Sequence, residues 1–181
     1  MKLVLIRHGK TIEAGEGVSQ SPDAEVDISL IDKNVVKDLN PEKVFSSPLP
    51  RATKTAEILF GEYEIVDYLY EYIRPKILDG KSREKARRFW DWGLVEYRKN
   101  PDWKYEGSES FNEIKSRASR FLEFLKKQKS IYKSVAVVGH VIFFRHLLGI
   151  IASGNNYNQN IYLDLGRYID WDNLEIKEIV I

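Results

Sequence analysis

The chain has 181 residues, 43% of them hydrophobic and 30% charged, with a formal net charge of +1. That is the composition of a globular protein long enough to bury a sizeable core, and so small a charge argues against a general nucleic-acid binder. There is no cysteine, which excludes disulfides, thiol nucleophiles and zinc–thiolate sites.

The first predicted element is a strand over Lys2, Leu3, Val4, Leu5 and Ile6, apolar almost throughout, as in a strand buried on both faces of an α/β sheet. It ends abruptly in Arg7-His8-Gly9-Lys10-Thr11. Ligands of such sheets sit beyond the carboxyl ends of the strands, so Arg7 and His8 stand where chemistry takes place, and Gly9 permits a sharp turn or a close backbone approach to a ligand. The plainer alternative is a turn in which His8 only bonds a neighbouring carbonyl. The apolar run Leu3 to Ile6 is too short for a signal-peptide core. No segment approaches the roughly 18 apolar residues of a membrane span, so a cytoplasmic protein is expected.

Residues Glu13 to Asp27 are rich in Gly, Ser, Asp and Glu and are expected to form a surface loop. A helix is expected over Ser29 to Leu39, closed by Asn40-Pro41, and a second strand over Val44 to Ser47. A helix then starts with Pro50 in its first turn, keeps Ala52, Ala56 and Leu59 on one face, and stops at Gly61. Arg51 lies in that first turn, where unpaired amides favour an anion; a guanidinium grips phosphate with paired hydrogen bonds and keeps its charge. A surface ion pair is the ordinary fate of a single arginine. Glu64 to Val66 is a third strand, running into Tyr68-Leu69-Tyr70-Glu71.

Between Lys81 and Tyr105 the chain turns basic and aromatic, and Ala86, Phe89, Trp90, Gly93 and Tyr97 fall on one helical face. The next helix starts at Ser110 and carries Phe111, Ile114, Ala118, Phe121, Leu122 and Leu125 at helical spacing. Val135 to Val138 is a buried strand ending in Gly139-His140, followed by a helix from Val141 to about Ile151. His140 thus repeats the placement of His8, and histidines at equivalent ends of two parallel strands can converge on one pocket. Two further strands are expected near Ile161 to Leu165 and Leu174 to Ile181. The alternation implies an α/β three-layer sandwich, with a mostly parallel central sheet, helices on both faces and a small helical cap. We expect one domain over 1–181, with residues 72–109 as the inserted cap.

Three segments together resemble the histidine phosphatase superfamily, the phosphoglycerate-mutase-like enzymes. They are Arg7-His8-Gly9-x-Thr11 after an N-terminal strand, the run from Ser46-Ser47 through Arg51 to Thr55-Ala56, and Val137-Val138-Gly139-His140. The resemblance spans nearly the whole chain. It implies that His8 is the nucleophile, that Arg7, Arg51, Thr11 and Gly9 bind phosphate, and that His140 stabilises the transition state. It also implies an acid a few positions after the third strand, for which Glu71 is chosen although Glu64 and Asp67 compete. Gly107-Ser108-Glu109-Ser110 followed by Arg117 resembles the family's G-E-S…R segment with one serine inserted, and capping by Ser108 or Ser110 explains it equally well. Ala14 stands where relatives often carry Asn, and the segment from Ser29 lacks the glycine and Gln-Ala pair common among them. His146 has no place in these motifs and is expected to face away from His140 as a structural residue.

Phosphoryl transfer demands in-line positioning and neutralisation of the equatorial oxygens, which two arginines and two histidines supply without a metal or cofactor. Neutral His8 attacks phosphorus and becomes a phosphohistidine, with a backbone carbonyl expected on its other ring nitrogen. His140, if protonated beside the phosphate, would stabilise the transition state. Glu71 protonates the leaving alcohol and then activates water. The expected activity is therefore a metal-independent phosphate monoester hydrolase. A phosphoglycerate mutase would have to shield its phosphoenzyme from water, and the chain is short for that, its last residues reading as a strand instead of a covering tail. A phosphate-recognising module with little turnover would need a lost catalytic group, and a two-histidine metal site lacks well-spaced carboxylates beside His8 and His140. The expected partner is a phosphorylated small molecule, a phosphoprotein also fitting, with no nucleic acid and no membrane.

Overall fold

The computed structural model describes residues 1–15, 17, 20–164 and 166–181. The strands β1 (Lys2–Arg7), β2 (Lys43–Ser46), β3 (Glu64–Ile65), β4 (Ser134–Gly139) and β5 (Ile176–Val180) form one sheet in the order β3-β2-β4-β1-β5. All neighbours run parallel except β5, which pairs antiparallel with β1. The two continuous apolar runs take the interior positions of this sheet: Leu3–Ile6 and Val135–Val138 are each at most 1% exposed. Only a strand covered on both faces selects such a run.

The helices are α1 (Ile12–Gly15), α2 (Pro50–Phe60), α3 (Arg83–Lys99), α4 (Phe111–Gln128), α5 (Val141–Ser153) and α6 (Gln159–Asp164). Side chains alternate across a strand, and the core divides accordingly. Leu3, Leu5, Val135 and Val137 join a large cluster with Phe121 of α4 and Phe143 of α5. Val4, Ile6, Ala136 and Val138 join a smaller one with Ala52, Ala56 and Leu59 of α2. This is the expected three-layer α/β sandwich, with bulky aromatic packing on one face and small alanine-rich packing on the other. Among the described residues no helix is long and apolar enough to cross a membrane.

Two expected elements take a different form. The segment from Ser29 to Leu39 is not one helix but two 3₁₀ turns, Ile28–Leu30 and Lys33–Val36. Asp27 and Asp32 each accept a hydrogen bond from the amide two residues on, Ser29 at 3.0 Å and Asn34 at 2.9 Å. Such side-chain bonds start a new turn every few residues and compete with a continuous α-helix. The first of the two tail strands, expected near Ile161 to Leu165, is instead α6. Asn158 Oδ1 accepts from the Asn160 and Ile161 amides at 3.0 and 3.2 Å and so initiates a helix; Leu165 lies outside the described residues.

The register of the sheet positions the site. Arg7 pairs with Gly139 and Ser46 with Val138, so β1, β2 and β4 end level with one another. The next residues along each chain, His8, His140 and Ser47, therefore emerge at one edge. The His8 amide donates to the Gly139 carbonyl at 3.0 Å and the Ser47 amide to the Val138 carbonyl at 3.0 Å, extending the ladders past the strand ends.

Candidate active site

His8 is 3% exposed, and its Nδ1 lies 2.7 Å from the Gly9 carbonyl oxygen. A carbonyl only accepts, so Nδ1 carries the proton and Nε2 holds the lone pair. Burial is the main cause pushing His8 well below the ordinary imidazole range, with the nearby Arg51 and Arg7 charges adding to it against the Gly9 bond. The side chain is therefore a neutral imidazole of fixed tautomer with one basic nitrogen.

His140 is fully buried, with its ring centroid 5.1 Å from that of His8. It caps α5 in an extended conformation, as expected for a residue between a strand and a helix. Its Nε2 lies 2.7 Å from Ser47 Oγ, which itself accepts from the Leu49 amide at 3.2 Å. The bond to Ser47 orients the ring and leaves Nδ1 buried with no hydrogen-bond partner among the described residues. Burial, then Arg51 and His8, push His140 well below the usual range. In the protein alone this favours the neutral ring; a phosphate dianion alongside would draw its pKa back up.

Arg7 and Arg51 flank this pair. Arg7 Nη1 is bonded to the Trp171 carbonyl. Arg51 Nη1 donates to the Ser21 and Pro22 carbonyls at 3.2 and 3.0 Å, fixing the guanidinium to the loop that follows α1. The Nε of each is buried and has no partner among the described residues. Burial is the chief cause of the lowering of Arg51 to about 10, with Glu71 opposing and Arg74 and Arg7 repelling. Two buried guanidiniums with unmet donors form a site that an anion would complete.

Arg7, His8, Arg51 and Glu71 line one cleft of about 920 Å³. Glu71 reaches it by lying against the N-terminus of α5: its carboxylate accepts from the Phe143 amide at 3.1 Å, the Ile142 amide at 3.3 Å and its neighbour Tyr72 at 2.9 Å. Its rivals are elsewhere, Glu64 in an ion pair with Lys43 at 2.7 Å and Asp67 exposed to solvent. Arg117 anchors the segment before Glu71, donating to the Tyr68 and Tyr70 carbonyls at 3.1 and 2.6 Å and stacking on the Tyr70 ring at 3.8 Å. Glu109 holds Arg117 in a bidentate pair, 3.0 and 2.7 Å, with both side chains 7% exposed. Ser110, in turn, caps α4 in a reciprocal capping box with Glu113.

Gly9 and Thr11 do not line this cleft. The Gly9 amide donates to Thr55 Oγ1 at 3.0 Å, and a Cβ on Gly9 would sit 2.7 Å from Val26. The Thr11 hydroxyl accepts from the Ala14 amide at 3.2 Å. Both residues shape the loop after β1. His146 lies away from the histidine pair, as expected, 2% exposed and stacked on Tyr162 at 4.3 Å.

Four contributors escaped the sequence reading as individual groups. Ser47 orients His140, and Thr55 ties α2 to the loop after His8, accepting from Gly9 while donating to the Arg51 carbonyl at 2.6 Å. Asn173 Nδ2 donates to the His8 carbonyl at 2.9 Å, and Trp171 holds Arg7. Ser47 carried a signal, standing one residue past a strand at the same sheet edge. Asn173 and Trp171 carried none, because their segment crosses the site only in three dimensions. The strained backbone there, Leu174 with φ +62°, is held by the Leu174 amide bonding the Arg7 carbonyl at 3.1 Å. Among the described residues no group of three or more His, Asp, Glu or Cys side chains is placed to hold a metal ion.

These features define an α/β protein with an anion-type pocket built on level strand ends around a histidine pair. The family model of the histidine phosphatase superfamily, branch 1, matches residues 3–177, and the chain belongs to that family. Among solved structures it is similar to the alpha-ribazole phosphatase of Shigella flexneri, 21% identical with a TM-score of 0.75, covering 100% of this chain and 91% of that one. It is also similar to a mutant phosphoserine phosphatase of Entamoeba histolytica solved with phosphoserine, 22% identical with a TM-score of 0.74, covering 99% and 90%. A mycobacterial glucosyl-3-phosphoglycerate phosphatase is 18% identical with a TM-score of 0.76, covering 98% and 88%. At these identities the likeness establishes the fold. No curated protein matches the chain.

Proposed function

We propose that this protein hydrolyses phosphate monoesters through a phosphohistidine formed on His8, without a metal. The observation that carries this reading is the set of three buried polar atoms lacking partners, Arg7 Nε, Arg51 Nε and His140 Nδ1, gathered about a histidine whose tautomer is fixed. A buried polar group left unmet costs roughly 1–3 kcal/mol, and a phosphoryl group bound between the two guanidiniums would offer them acceptors. His8 Nε2 then attacks phosphorus, the bond to the alcohol oxygen breaks, and Glu71 gives that oxygen a proton. In the second step Glu71 takes a proton from water, whose oxygen attacks phosphorus and releases His8 neutral. The arginines and the His140 N–H neutralise the equatorial oxygens, the part a metal plays elsewhere. Gly9 and Thr11 serve by holding the loop that aims His8.

We assign residues 72–109 as a cap over this cleft. Arg83 and Trp90 of α3 supply part of its wall, and Arg83 Nη2 ties the cap to the loop after β1 through the Ala14 carbonyl at 2.7 Å. Hydrolysis is the reading taken over mutase chemistry, in keeping with the similar structures that are named phosphatases. The histidine phosphatases and their named structural neighbours fit a phosphorylated small molecule as substrate. The test is chemical. Quenching the protein with a radiolabelled monoester should trap an acid-labile, base-stable label that His8→Ala cannot form, with turnover undiminished in chelator. Turnover by purified His8→Ala overturns the reading, and conversion of 3-phosphoglycerate to 2-phosphoglycerate faster than phosphate release would replace it with a mutase.

A further inference from the structure

A second cavity, of about 220 Å³, adjoins the cleft. Tyr72, Trp90 and Ile142 wall both spaces, while Leu94, Tyr97 and Tyr162 close the far side. Its lining is mostly aromatic and aliphatic; Arg145 is also in the wall, with its Nε donating to the Ile169 carbonyl at 2.8 Å. The Tyr72 and Tyr97 hydroxyls lie 2.5 Å apart and within 2.9 and 2.7 Å of the Glu109 carbonyl, so their polar atoms are already engaged. His146, also in the wall, is pushed down to about 3, chiefly by burial, and stays neutral.

The mouth of this cavity is placed by the same residues that place Glu71. Tyr72 follows it in sequence, and the Ile142 amide donates to its carboxylate at 3.3 Å. A leaving oxygen protonated by Glu71 would therefore carry its substituent toward Tyr72 and Ile142. An apolar cavity of about 150 Å³ is enough to hold benzene, so the space here accommodates one ring and a short linker.

Resting on the hydrolase reading above, we propose that this cavity receives an aromatic group on the leaving alcohol, making aryl and arylalkyl monoesters the favoured substrates over small polar ones. Burying one ring against aromatic neighbours supports a preference of roughly tenfold to a hundredfold.

Benzyl phosphate and ethyl phosphate, whose leaving alcohols are close in acidity, test this by turnover. Benzylphosphonate and methylphosphonate, which cannot be hydrolysed at the C–P bond, test it by binding. We expect kcat/KM at least tenfold higher for the benzyl ester and a Kd at least tenfold lower for benzylphosphonate. Leu94→Trp fills the cavity and should lower the benzyl preference at least tenfold; Leu94→Phe should lower it less, and stands in if the Trp variant does not fold. Equal binding of the two phosphonates by the wild type, or a benzyl preference unchanged in a folded Leu94 variant, overturns the proposal. Preferential benzylphosphonate binding with neither ester turned over would keep the cavity assignment and remove the hydrolase reading. Turnover of both esters without preference would do the reverse.

Discussion

The end of the cleft proposed for the phosphate and the end proposed for the leaving group are built differently. At the phosphate end His8, His140 and Arg51 are 3%, 0% and 4% exposed and sit on strand ends or the first turn of a helix, where the ladders set their spacing. At the other end Trp90 and Leu94 are half-buried on α3, a helix that packs on α6, on Trp103 and Tyr105 of the segment that follows it, and on the loop after β1. Groups that must meet a reacting phosphorus are held by rigid elements; groups that read the rest of the substrate ride on a separate helix. Substitutions at the phosphate end should therefore abolish turnover of every substrate, whereas those at the cap should change the ranking of substrates.

The largest effect is expected from His8→Ala, a loss of about 10⁴-fold or more because the proposed nucleophile is gone; equal loss for aryl and alkyl esters checks it. Arg51→Ala should cost on the order of 10²–10³ in kcat, the usual price of one preorganised charged donor, again without regard to the alcohol. Glu71→Gln should cost about 10², more for alkyl esters than for 4-nitrophenyl phosphate, whose leaving group needs no proton. A loss independent of leaving-group acidity would remove Glu71 from the acid role.

Arg117 links the two ends, since it fixes the strand-to-cap segment carrying Glu71. Breaking its buried pair with Glu109 by Arg117→Leu should destabilise the protein by about 3–5 kcal/mol, read from denaturant unfolding, with a fall in kcat that Arg117→Lys partly restores. The smallest effect is on pH dependence. Unfolded histidine titrates near 6.5, whereas folded His146 is held down to about 3, so the unfolded chain binds the extra proton first as pH falls. Stability is full above about pH 6.5 and declines below it, by up to about 1.4 kcal/mol per pH unit from this residue. His8 and His140 act in the same direction. In His146→Phe the slope of stability between pH 6 and 4 should be shallower by about one proton; parallel slopes would contradict the buried neutral histidine.

Local pattern was a good guide wherever one period dominated. Leu3–Ile6 and Val135–Val138 announced buried strands, and the spacing from Phe111 to Leu125 announced α4, because continuous apolar runs and helical faces leave few alternatives. It misled where side chains compete with the backbone: Asp27, Asp32 and Asn158 restart turns in segments whose apolar spacing suggested something longer or straighter. Three carboxylates within eight residues were equivalent on paper as candidates for the acid, and only packing on the N-terminus of α5 places Glu71, and neither of the others, in the cleft.

The sequence by itself determined the layered architecture, the strand ends that bear His8 and His140, and the arginine at the start of α2, since each follows from contacts within a few residues of chain. The tertiary structure alone decided the rest. Sheet register brings Ser47 to His140, the segment 171–174 brings Trp171 and Asn173 onto Arg7 and His8, and α3 closes an aromatic cavity beside Glu71. Those contacts join residues up to 165 positions apart, and no local periodicity encodes a distance of that kind.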